Sequence, residues 1–213
     1  MERTTVLKVG GAELQEGEAF ETLLGALVPL SRARRLVVVH GGGAEIADLQ
    51  QRLGLAPCFV DGLRVTDGDS LRVAEMVLSG LVNKRLTAHL VARGVRALGL
   101  SGVDAGVLRA RRLTHPKGDL GFVGEITDVD AACLAGLLDA GFTPVLSPIS
   151  LGENGCAYNV NATTRLWPPS WMAWWMSCVP ATAAWCWRRV ATGSPAERWI
   201  CCRNAWAAMS RWR

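Results

Sequence analysis

No Cys-x-x-Cys pair occurs in the 213 residues, and the seven cysteines fall at irregular spacings. Neither a zinc site nor a disulfide framework is expected, and with no leader-like amino terminus the setting is read as reduced and cytoplasmic. Neither G-x-x-x-x-G-K-[S/T] nor G-x-G-x-x-G is present, which argues against a P-loop or a dinucleotide-binding turn. Lysine is scarce, with Lys8, Lys84 and Lys117 the whole supply. Tryptophan is missing from the first 166 residues, yet nine follow between Trp167 and Trp212. Acid is almost missing after Ala162, where Glu197 stands against seven arginines, a balance of +6 that leaves residues 1–162 at −2 within the total of +4. The basic excess therefore belongs to the tail alone and implies no nucleic-acid partner. From Leu166 to Trp187 no residue is charged, a run long enough to span a bilayer. Pro168, Pro169, Pro180 and tryptophans scattered along the run argue against a span, where Trp sits at the edges. No membrane partner is expected.

Residues 1–162 read differently, as short apolar runs alternating with amphipathic stretches, the pattern of a mainly parallel sheet covered by helices. "TVLKVGG" is a strand that stops at paired glycines, and "EAFETLLGALVPLSRA" has helical spacing at Phe20, Leu23, Leu24, Leu27 and Leu30. "RRLVVVHGGG" is a buried strand ending in three more glycines, from which "AEIADLQQRLGL" starts as a helix. After a loop holding "VDGLRVTD", residues 69–94 form one long helical stretch. "VRALGLSGVD" is a strand and turn, "GDLGFVGEITDVD" a hairpin or strand pair, "AACLAGLLDAG" a helix and "FTPVLSPISL" a strand, with "NVNA" a polar binding turn beyond. No repeat or low-complexity linker interrupts this order, so one α/β domain is expected over residues 1–162.

Two strands that end in glycines, "KVGG" and "HGGG", are the most informative feature. Glycine lets backbone N–H groups approach a ligand, and a helix starting at once adds its positive end, so an anion is the natural guest. Open α/β sheets bind ligands at the carboxyl ends of their strands, where both loops would lie. Lys8, two residues before the first pair, supplies a compact ammonium suited to phosphate. His40 is read as a hydrogen-bonded core residue rather than a general base, and His115 as an exposed loop residue. Asn83 and Lys84 are read as helix decoration, and Cys58, Cys133 and Cys156 as small apolar residues.

Together "VLKVGG", "VVVHGGG", "VDGLRVTD", "GLVNKRL", "GFVGEI" and "PVLSPISLGENGCAYNVNA" resemble the amino-acid kinase family, and within it the acetylglutamate kinases of arginine biosynthesis, over residues 4–162. The resemblance implies a three-layer αβα sandwich with a mainly parallel central sheet, here truncated after the substrate-binding half. It implies ATP-dependent phosphorylation of the γ-carboxylate of N-acetyl-L-glutamate, with Mg²⁺, by a cytoplasmic enzyme that is a homo-oligomer when full length. It assigns Lys8 to the phosphoryl group in flight, Gly10 and Gly11 to the phosphate loop, and Gly42 and Gly43 to the cradle for substrate. Arg64 matches the clamp on the substrate α-carboxylate, where a bidentate fork is suited, and Asn159 matches the residue that holds the acetylamino acid. No protein ligand set for a metal is implied. A related alternative is a kinase for carrier-protein-linked aminoadipate or glutamate in lysine biosynthesis. From another class comes a non-catalytic truncated remnant.

The pattern departs after "NVNA", where the family has an aspartate that organises the glycine loops and this chain has Thr163. A nucleotide-binding half with a second lysine should follow, and no lysine follows Lys117. A frameshift accounts for the break. Trp and Met each have one codon, so "WMAWWM" must be written TGGATGGCNTGGTGGATG. Starting each codon at the previous third base gives Asp-Gly-(Val, Leu or Met)-Val-Asp. Extended upstream with GC-rich codons, the same shift puts an aspartate directly after "NVNA". Residues 163–213 are thus read as an aberrant, frameshifted tail, and the chain as it stands is expected to be inactive.

Overall fold

The computed structural model describes residues 4–61 and 63–161, together with the short strands Arg188–Val190 and Arg198–Ile200. Strands β1 (Thr4–Val9) and β2 (Arg35–His40) run parallel, Lys8 opposite Val39 and Val9 opposite His40. Parallel neighbours need a crossover, and α1 (Glu18–Ala33) provides it with Phe20, Leu23, Leu24 and Leu27 on a buried stripe. Helix α2 (Gly43–Arg52) leaves the second glycine loop, and a two-stranded hairpin follows, β3 (Phe59–Val60) with β4 (Leu63–Arg64).

The long helical stretch begins as α3 (Gly68–Ala74), where the Asp67 carboxylate accepts a bond from Ser70 N–H at 2.8 Å. It widens into a π-helical segment, Glu75–Val82, before resuming as α4 (Asn83–Ala92). The long helical stretch expected over 69–94 is thus present, with a π-helical middle that the sequence did not reveal. A π turn changes the phase of the side chains, and here Val77, Leu78 and Val82 pack in the core while Ser79 bonds a strand.

Next come β5 (Ala97–Gly102), β6 (Leu108–Arg112), β7 (Val123–Val129), α5 (Ala131–Asp139), β8 (Thr143–Leu151) and β9 (Ala157–Val160). "GDLGFVGEITDVD" contributes one strand rather than a hairpin, and its antiparallel partner is β6. Three arginines in "LRARR" hid that strand. Its burial alternates, Leu108 and Ala110 inside and Arg109, Arg111 and Arg112 outside, as a strand covered on one face requires. Arg111 with Glu125 at 3.0 Å and Arg112 with Asp119 at 2.6 Å are exposed pairs, each worth at most about 1 kcal/mol. The inward alternation, not these charges, sets the register.

The sheet runs β1-β2-β8-β6-β7-β9, with β5 also on β8. Five of its seven ladders are parallel and two antiparallel. Leu36, Val38, Val145 and Ile149 pack with α1, α3 and α4, whereas Val37, Val39 and Leu146 pack with Leu134 and Leu138 of α5 and with β6 and β7. The alternation of β2 and β8 between two cores makes three layers, as expected. Pro148 is tolerated inside β8 because the register with β5 jumps there, from Ser101 opposite Ser147 to Gly102 opposite Ser150. Where β2, β5 and β8 begin, Arg32 donates to Arg93 O at 3.1 Å and Arg96 to Ala140 O at 2.8 Å, so arginines satisfy helix C-terminal carbonyls.

The chain divides into two units, Met1–Cys178 and Val179–Arg213. In the second, Arg188–Val190 pairs antiparallel with Arg198–Ile200. The break expected at Thr163 and the uncharged run from Leu166 to Trp187 lie outside the described residues. Among the described residues no helix is long and apolar enough to cross a membrane.

Candidate functional site

The parallel register brings both glycine loops to one end of the sheet. Gly41 N–H donates to Val9 O at 3.0 Å, closing the loops on each other. A Cβ on Gly11 would lie 3.1 Å from Gly42 Cα and N and 3.2 Å from Gly43 N, and one on Gly42 would lie 2.7 Å from Leu78 Cδ2. Gly11 and Gly42 are thus demanded by close approach, the first to the other loop and the second to the π-helical segment. Among the described residues, no acceptor takes the N–H of Gly10, Gly11 or Gly42. Those donors lie beside the positive end of α2, an arrangement suited to an anion. Lys8 is exposed two residues upstream. Glu45, on the first turn of α2, is paired with Arg85 at 2.7 Å, while the exposed Glu13 side chain lies against Gly10.

Below the loops the register sets His40 level with Ser147 and Ser101. Asn83 Nδ2 lies 3.1 Å from His40 Nε2 and donates to Val145 O at 2.8 Å and Leu100 O at 3.3 Å. Asn83 is fully buried, so it is a link between helix and sheet and not helix decoration. The π-helical segment rotates it inward. Lys84 Nζ donates to Gly99 O at 2.8 Å. Ser79 and Ser147 hydroxyls are 2.7 Å apart. The Gly41 carbonyl can only accept, so the His40 proton sits on Nδ1, 2.9 Å from Gly41 O, and Nε2 faces the Asn83 amide unprotonated. His40 is the core residue the sequence suggested.

Burial lowers the His40 pKa from its ordinary 6.5, outweighing the Gly41 carbonyl and Glu45, which act upward. The unfolded chain therefore binds this proton more readily, and stability supplied by the neutral ring is present above pH 6.5 and lost as pH falls below it. Thermal melts between about pH 7.5 and about pH 5.5 should show a midpoint that falls with acid. His40→Gln, which cannot take the proton, should flatten that dependence; an equal slope in both proteins would refute the assignment.

Arg64, on β4, donates to Gln50 Oε1 and lies over the Phe59 ring at 5.2 Å. Burial lowers its pKa. Two residues on, Thr66 ties the hairpin to the sheet, its N–H donating to Leu120 O at 3.0 Å and its carbonyl accepting from Phe122 N–H at 2.6 Å. Gly121 is required between them because its φ is +67° and a Cβ would strike Thr66 O. Asn159 Nδ2 reaches Thr66 Oγ1 at 3.5 Å. Asn159 lies on strand β9, opposite Ile149 and Val123, and not in a turn. Thus Gly10, Gly11, Gly42 and Gly43 form one neighbourhood, and Arg64 and Asn159 are linked through the Thr66 segment. Gln50, Thr66, Ser79 and Ser147 were missed because only long-range packing gives them partners.

Other expectations change. His115 is half-buried, with Nε2 3.7 Å from Asp61, which also pairs with Lys117 at 2.9 Å. Cys58 and Cys156 are exposed, and Cys133 packs against the second core. The short loops that carry Cys58 and Cys156 cannot be read as exposed from residue type.

The sequence pattern of the Amino acid kinase family matches residues 3–164. The chain belongs to the amino acid kinase family. It is 47% identical over 163 residues to the acetylglutamate kinase of Methanopyrus kandleri, covering 75% of this chain and 63% of that protein. A solved structure, smu.665 from Streptococcus mutans, matches with a TM-score of 0.68 at 29% identity, covering 76% of this chain and 65% of that one. N-acetylglutamate synthase from Neisseria gonorrhoeae, complexed with coenzyme A and N-acetyl-glutamate, matches with a TM-score of 0.65 at 31% identity, covering 75% of this chain and 36% of that one. This member of the amino acid kinase family spans less than two thirds of the length of the acetylglutamate kinases it matches.

Proposed function

We propose that residues 1–162 are the substrate-binding half of an ATP-dependent kinase acting on the γ-carboxylate of N-acetyl-L-glutamate in arginine biosynthesis. The observation that carries this is the contact of the two glycine loops, with N–H groups of Gly10, Gly11 and Gly42 unengaged beside Lys8. Such a cradle fits phosphate oxygens, and bound ATP would supply the phosphoryl group that the γ-carboxylate accepts. Lys8 and the glycine N–H groups stabilise charge on the group in transfer, because phosphoryl transfer needs position and charge neutralisation more than covalent help. Arg64 holds the α-carboxylate and Asn159 the acetylamino group, fixing the γ-carboxylate toward the glycines. Among the described residues no cluster of three His, Cys, Asp or Glu side chains is placed to hold a metal ion. Any Mg²⁺ would take its ligands from the phosphate oxygens of bound ATP and from water.

We further propose that residues 163–213 are read out of frame and that the nucleotide-binding half is lost with them. Sequencing the gene across codons 158–168 should restore an aspartate codon where Thr163 is read. The corrected product should form a hydroxylamine-trappable acyl phosphate from ATP and N-acetyl-L-glutamate, and the 213-residue chain should not. Native peptides matching "WICCR", or turnover by the uncorrected chain, would count against this reading.

A further inference from the structure

Four arginines of the described residues are half-buried: Arg35, Arg64, Arg85 and Arg93. Three of them meet a carboxylate, Arg35 that of Asp139, Arg85 that of Glu45 and Arg93 that of Glu21. Arg64 does not, and its partners among the described residues are a neutral amide and an aromatic face. A cation taken partly out of water without a counter-charge is costly unless something else supplies the anion.

Gln50 is the amide. It is 1% exposed on α2, two helical turns beyond the glycines that open that helix. Its Nε2 donates to Ser70 Oγ at 2.9 Å, and Ser70 is itself fixed by the Asp67 cap. A guanidinium has only donors, so the amide oxygen must face Arg64 and the amide nitrogen Ser70. Both ends of Gln50 are used, and its orientation has no alternative.

We propose that Gln50 is a positioning residue that fixes the Arg64 guanidinium on the helix launched by the glycine loop while leaving its positive charge uncompensated for a ligand carboxylate. A neutral amide is the side chain that does both. Alanine or leucine would lose the hold, and a carboxylate would keep the hold but supply the counter-charge itself. Gln50 is buried and acts through Arg64. The inference rests on the reading of Arg64 as the clamp for the α-carboxylate.

Gln50→Glu separates the two demands. The glutamate keeps the shape and bonds Arg64 more strongly while giving up the donation to Ser70 Oγ, so the melting temperature should stay within a few degrees. Titration of the 213-residue chain with N-acetyl-L-glutamate should nevertheless show Kd raised tenfold or more, close to the loss in Arg64→Ala. The α-amide of the same ligand should bind the unaltered chain weakly, and Gln50→Glu should weaken it by less than twofold further. Gln50→Leu should lower both affinity and melting temperature. A Gln50→Glu protein that keeps its affinity while Arg64→Ala loses it shows that Gln50 is merely structural and overturns this inference alone. Absence of binding by the unaltered chain, or an unchanged Kd in Arg64→Ala, overturns the carboxylate reading and this inference with it.

Discussion

Lys8→Ala in the frame-restored enzyme lowers kcat on the order of a hundredfold or more and leaves both KM values within a few-fold. The expectation follows from where the charge changes. Lys8 stands one residue before the end of β1 and two before Gly10, and the second loop lies in contact with the first. A cation there gains most when negative charge spreads over the phosphoryl group in transfer, so its loss falls on the transition state and not on the ground state. Lys8→Arg should recover little, since a planar guanidinium spreads its charge over a fork where a compact ammonium presents it at a point. Steady-state kinetics with each substrate varied decides the matter. A pure rise in KM for acetylglutamate would show that Lys8 lies in the wrong neighbourhood.

Arg64→Ala should fail in the other way. The α-carboxylate keeps its charge throughout the reaction, so the guanidinium binds ground state and transition state alike. Its loss should raise KM for N-acetyl-L-glutamate by roughly ten- to a hundredfold, the worth of about 1.5–3 kcal/mol for a hydrogen bond to a charged group. KM for ATP and kcat should change little. Gln50 would lose its acceptor role in this variant, leaving a buried Oε1 unpartnered, so the melting temperature should also fall by a few degrees. A large kcat defect at unchanged KM would place Arg64 at the phosphoryl group instead.

Sequence periodicity alone determined most of the elements. The stripe of Phe20, Leu23, Leu24 and Leu27 located α1 over Glu18–Ala33, and the continuous apolar run of β2 marked a strand buried on both faces. Such patterns are legible because each residue reports burial against the nearest layer whatever that layer is made of. The glycine loops were legible for a similar reason, since few side chains other than none fit where backbones meet. The proposed break at Thr163 rests on the sequence alone, where the single codons of tryptophan and methionine in "WMAWWM" fix the shifted reading of that stretch.

Tertiary structure alone decided which distant segments serve one another. The register of β2 with β8 sets His40 beside Ser147, and the π-helical segment turns Asn83 from surface decoration into a buried link. "LRARR" became a strand because "VGEITDV" lay antiparallel to it and one face was covered. Gln50 found Arg64 fourteen residues on and Ser70 twenty residues on. None of these pairings has a local signature, because a polar side chain reads as surface until burial removes water and leaves one partner to satisfy it.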